Sequence, residues 1–200
     1  MQERQVSIAG QTRDLPSPFH VLATQNPIEQ EGTYPLPEAQ LDRFLLRIDV
    51  DFPDRETERK ILAETTGVGE KSVKSIFAPN DLLDAQAIVR SMPVGKAVVD
   101  AILDIVRSAR PEEDDAPDIV KDAVNWGPGP RASQAFMLAI RAQALAQGRL
   151  APSVDDVVSL AEPVLRHRMG LSFGARAQGT SHTQVIAALT ERFAKAKSAA

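Results

Sequence analysis

Three side chains in this 200-residue sequence are placed to handle an anion: Asn26, Arg43 and Arg131. Asn26 closes the short apolar run Phe19–Thr24, and an amide at the carboxyl end of a strand lies where open α/β sheets bind their ligands. Asn26-Pro27 also reads as an ordinary turn starter. Arg43 follows Leu41-Asp42 at the end of a short helical segment and directly precedes the apolar run Phe44–Val50. That placement pins its backbone and leaves the guanidinium to project outward. The competing reading is an ion pair with Asp42 or Glu38, both close in sequence. Arg131 lies in Gly127-Pro-Gly-Pro-Arg-Ala-Ser, at the start of a helix. Pro130 suits the first helical turn, and the two glycines allow close backbone approach. A cation at a helix N-terminus opposes the macrodipole, so an anion completing the site would account for it.

The elements that must hold these residues fall into two groups. Val6–Leu15 reads as a hairpin turning at Ala9-Gly10. Phe19–Thr24 and Phe44–Val50 read as buried strands. Asp54 caps a helix to about Glu64, with Glu56 and Glu58 in its first turn. From about residue 75 the pattern is helical. Leu82, Ala85, Val89 and Met92 make one stripe, and Val98, Ile102 and Ile105 another. Arg131–Arg149 is apolar around much of its circumference and predicts a central helix. Ser153 caps an amphipathic helix carrying Val154, Val157, Val158, Ala161, Val164 and Leu165. A last helix is expected over Thr183–Lys197. Arg110–Asp118 and Gly170–Thr180 read as mobile loops. The fold class is therefore α/β followed by all-α. The expected divisions are 1–54 (α/β core), 55–74 (linker helix and loop) and 75–200 (all-α subdomain).

Bulk properties narrow the function. Lys and Arg total 23 against 27 Asp and Glu, a net charge of −4 that gives no basic footprint for nucleic acid. With no cysteine there are no disulfides or thiolate metal sites, and the histidines at 20, 167 and 182 lack metal-ligand spacing. Glu29 and Glu31 read as a solvated loop, and Trp126 and Tyr34 give no platform for stacking bases. No run approaches the roughly 18–20 apolar residues of a membrane helix, so a cytoplasmic protein is expected. Gly67-Val-Gly-Glu-Lys-Ser72 looks like the end of a phosphate-binding loop, but Glu70 separates glycine from lysine and would repel phosphate. Leu45–Asp49 has an arginine within its apolar run and no following glutamate, so it is no Walker B strand. Arg166-His167-Arg168 reads as positive charge at a helix end, favoured by the macrodipole and given no chemistry.

The stretch from Leu22 to Phe44, with Gly127–Ser133 and the helices after it, resembles MoxR-type AAA+ ATPases. The resemblance runs from the hairpin to the end of the chain. It implies that Asn26 is sensor 1, orienting the attacking water at the γ-phosphate of ATP. Arg43 would be the arginine finger, neutralising charge on a neighbouring subunit's ATP, and Arg131 the sensor-2 arginine of the lid. It further implies ATP and Mg²⁺ as cofactors and a homo-oligomeric, hexameric ring. The activity would be chaperone-like remodelling of partners such as von Willebrand factor A domain proteins. Both Walker elements are missing from these residues. The chain is therefore expected to be the downstream part of a longer ATPase, starting in mid-domain and inactive alone. Two other readings are a non-catalytic helical interaction module and a piece of a related DNA motor or chelatase AAA+ protein.

Overall fold

The structure is a computed structural model and describes residues 5–25, 36–67 and 74–198. Strands β1 (Gln5–Ile8) and β2 (Gln11–Asp14) form an antiparallel hairpin that pairs Gln5 with Asp14 and Ile8 with Gln11. Its turn falls on Ala9 and Gly10, both at positive φ (51° and 79°), as a two-residue type I′ turn requires. The expected strands Phe19–Thr24 and Phe44–Val50 have no ladder among the described residues. An apolar run becomes a strand only beside a partner that takes its backbone hydrogen bonds. Here Leu22 is 94% exposed, and Val50 and Phe52 are each 90% exposed.

Between these runs lies α1 (Glu38–Leu41), and after them α2 (Arg55–Thr65), whose N-cap Asp54 accepts a 2.7 Å bond from the Thr57 amide. The remainder is mostly helical: α3 (Pro79–Ser91), α4 (Lys96–Ser108), α5 (Asp118–Ala123) and α6 (Pro130–Ala146). Then come α7 (Val154–Ser159), α8 (Ala161–Leu165), α9 (Phe173–Ala177) and α10 (His182–Ser198). The core lies between α4, α6, α8 and α10, where Ile102, Ile105, Phe136, Ile140, Leu165 and Leu189 are fully or almost fully buried.

Two local expectations need correction. The helix expected from Ser153 is broken at Leu160 into α7 and α8, and a 3-10 turn follows over Arg166–Arg168. Pro163 accounts for the break, because its ring excludes the carbonyl of Ser159, four residues earlier, from a continuous helix. The segment expected as a loop, Gly170–Thr180, contains α9 and a short strand β4 (Gly170–Leu171) paired antiparallel with β3 (Val124–Trp126). Trp126 lies so close to Gly170 that a Cβ there would stand 2.0 Å from its Nε1. Gly127 has a similar constraint, since a Cβ would come 2.6 Å from the Ala109 carbonyl oxygen.

Candidate functional site

The site is built on a helix that stops early. After α1 the amides of Arg43 and Phe44 bond three residues back, to Gln40 (3.1 Å) and Leu41 (3.0 Å), so the chain tightens and leaves the helical path. The carbonyls of Asp42, Phe44 and Leu45 then have to find other donors. Arg168, only 2% exposed, supplies them. Its Nη2 donates to the Asp42 carbonyl (3.1 Å) and to the Phe44 carbonyl, and its Nη1 to the carbonyls of Leu45 (3.2 Å) and Val164 (2.6 Å). Its Nε donates to Asp42 Oδ1 at 3.1 Å. Burial pushes the Arg168 guanidinium below its ordinary pKa, and the Asp42 carboxylate opposes that shift. The sequence reading of this cluster as positive charge at a helix end covers only the bond to Val164 and misses the burial of Arg168 and its hold on Asp42–Leu45. The residue lies beyond α8 and inside the protein.

Asp42 is shared, because its other oxygen, Oδ2, accepts from Arg131 Nη1 at 3.1 Å. Glu38, the other carboxylate within reach of Arg43 in sequence, accepts a 3.0 Å bond from Trp126 Nε1. Both local candidates for an ion pair with Arg43 are therefore engaged by the helical region. Arg43 is exposed and lines an open cleft with Leu36, Gln40 and Phe44. Arg131 keeps 40% of its side chain accessible. Each of these accessible guanidiniums suits the oxygens of a phosphate. Among the described residues no cluster of three or more His, Asp or Glu could hold a metal. Asn26 lies outside the described residues.

Further contacts fasten the same segment. His167 Nε2 is 3.2 Å from the Phe44 carbonyl, so the ring is the Nε2–H tautomer donating to it. Burial first, and the Arg168 charge next, push this imidazole down to about 4, which leaves it neutral near pH 7. The Arg47 amide donates to the Pro163 carbonyl at 2.9 Å, and Arg166 Nη1 lies 2.6 Å from Asp49 Oδ2. Leu46 packs against the core. Sequence reasoning missed Asp42 as a hub and Arg168 as its anchor. A cation just past Pro163 reads only as a partner for the end of the helix before it, and Arg168 Nη1 does take the Val164 carbonyl of α8; nothing beside it marks the contacts with Asp42–Leu45. A larger cleft of about 600 Å³, lined by Ile119, Asp122, Ser172 and Gln178 among others, includes none of the candidate residues.

Comparison with known proteins fits this arrangement. Residues 1–46 match the ATPase family associated with various cellular activities (AAA), and residues 116–189 match the AAA lid domain. The chain is 45% identical to "Chaperone MoxR1" of Mycobacterium tuberculosis over 93% of this chain and 49% of that protein. It is 35% identical to the YeaC protein of Bacillus subtilis (93% of this chain, 56% of that one) and 30% identical to "Protein MoxR" of Paracoccus denitrificans (86% and 54%). A crystal structure of a candidate ATPase from Cytophaga hutchinsonii superposes with a TM-score of 0.87 at 33% identity, covering 95% of this chain and 58% of that one. The chain spans about half the length of the curated relatives it matches. It belongs to the MoxR-type AAA+ ATPases, as the C-terminal portion with its lid.

Proposed function

We propose that the full-length protein binds and hydrolyses ATP with Mg²⁺ in a homo-oligomeric, hexameric ring. The cycle remodels partner proteins in the cytoplasm, von Willebrand factor A domain proteins among them. These 200 residues supply the sensor, finger and lid portion, divided at about residues 54 and 74. ATP brings the phosphoryl group to be transferred, and the ligands for Mg²⁺ belong to a Walker B strand that this sequence does not contain. On this reading the 200 residues alone turn over no ATP. Asn26 orients the attacking water. Arg43 neutralises charge on the transferring phosphoryl group of a neighbouring subunit. Arg131 exchanges Asp42 for nucleotide phosphate, a differential contact of the kind a lid switch requires.

The observation that carries the reading is the contrast between two adjacent residues. Asp42 faces two arginines of the lid, whereas Arg43 faces outward with both nearby carboxylates engaged elsewhere. In the full-length protein, Arg43→Ala should lower kcat by about 10³-fold or more. A finger acts in the transition state, so ATP affinity should stay within about twofold. Turnover assays with fluorescent-nucleotide titration measure both quantities. A normal kcat, or a loss confined to affinity, would remove Arg43 from the reaction.

A further inference from the structure

The functional reading gives no residue of the Arg166-His167-Arg168 cluster a role of its own. We propose that Arg168 is the positioning residue for the Arg43 guanidinium, fastening the turn that carries it to the lid. The proposal rests on the reading of Arg43 as an arginine finger.

A guanidinium has five N–H donors in a fixed plane, and Arg168 commits all five. One goes to the Asp42 carboxylate, one each to the carbonyls of Asp42, Phe44 and Leu45, and one to Val164 in α8. The carbonyls of Asp42 and Phe44 flank Arg43 in the chain, so its Cα is held from both sides by one buried group. Arg43 then has little freedom except along its own side chain. The same plane reaches into α8, and Arg131 of α6 holds the other oxygen of Asp42. The position of the lid thus sets where the Arg43 guanidinium stands. Lysine could not replace this arrangement, because an ammonium has three donors radiating from a single point.

The test uses Arg168→Lys in the full-length protein. Loss of position should lower kcat at least about tenfold and leave the KM for ATP within twofold. Mixed rings then separate positioning from general damage. Partner subunits carry a changed Walker B acid, so they cannot hydrolyse ATP but keep a normal Arg43. Each Arg168→Lys subunit retains its own nucleotide pocket, so a neighbour with a sound finger should restore turnover, to the extent seen for Arg43→Ala. A merely structural defect stays in its own subunit and is not restored. Asp42→Asn is the milder companion should Arg168→Lys fold poorly, with about a threefold loss of kcat and the same restoration. Unchanged kcat in both variants, or losses that mixing does not restore while Arg43→Ala is restored, overturns this proposal alone. Failure of Arg43→Ala itself to be restored in demonstrably mixed rings overturns the finger reading and this proposal together.

Discussion

The two parts of the molecule are held together by different forces. From Met92 to Leu189 the chain contributes every buried apolar side chain among the described residues, with Phe136 and Ile105 inaccessible to solvent. The described residues from Gln5 to Ser91 contribute none, and Leu22, Ile48, Val50, Phe52 and Ile76 stand largely in water. The helical region is thus stabilised by burial of its own apolar surface. The segment Glu38–Asp49 is attached to it chiefly by polar contacts: Trp126 with Glu38, Arg131 and Arg168 with Asp42, and Arg166 with Asp49. Such contacts are directional. They fix geometry more than they add stability, which suits the presenting role proposed for the segment.

The largest expected effect contrasts two phenylalanines. Phe136→Ala should destabilise this chain by about 3–5 kcal/mol, because a fully buried ring leaves a cavity among α4, α6 and α8. At the other extreme, Phe52→Ala removes a ring already in solvent and should change stability by less than about 0.5 kcal/mol. Chemical denaturation of both variants measures the difference. Similar effects would mean that the two parts share one core.

A smaller effect comes from the joint between the parts. The His167 imidazole is held down to about 4 in the folded chain, against an ordinary value near 6.5 when unfolded. Between those values the unfolded chain binds a proton that the folded chain does not. Stability from this group is therefore complete above about pH 6.5 and declines as pH falls toward 4, by about 3 kcal/mol at most. Thermal unfolding across pH 4–7 should show that slope, and His167→Gln should reduce it, leaving the share of His182, whose imidazole burial also holds below its ordinary value. An equal slope in the variant would place the titration elsewhere.

What was legible in the sequence was local. The turn at Ala9-Gly10, the Asp54 cap and the stripe of α4 depend on residues a few positions apart, and each stands as expected; of the stripe read for α3, only Met92 is buried. The runs Phe19–Thr24 and Phe44–Val50 were not legible as they stand, because pairing depends on a neighbour that a run's composition cannot supply. Among the candidate site residues, Arg43 and Arg131 could be singled out from their settings, and Asn26 lies outside the described residues. The hub between them could not, since Asp42 meets its partners across 89 and 126 residues of sequence. Arg168 was read only as charge at a helix end, because the macrodipole suffices to account for it there and nothing next to it signals that three distant carbonyls need donors.

Native-state hydrogen exchange on this chain tests most directly whether Glu38–Asp49 is mechanically part of the lid. The Arg47 amide is the reporter, since its bond runs to the Pro163 carbonyl in α8. If the segment is docked as described, Arg47 exchanges only with opening of the lid. Its protection should then track that of Val164, with the same dependence on denaturant. Exchange of Arg47 at the rate of an unprotected peptide, while Val164 stays protected, would contradict the account.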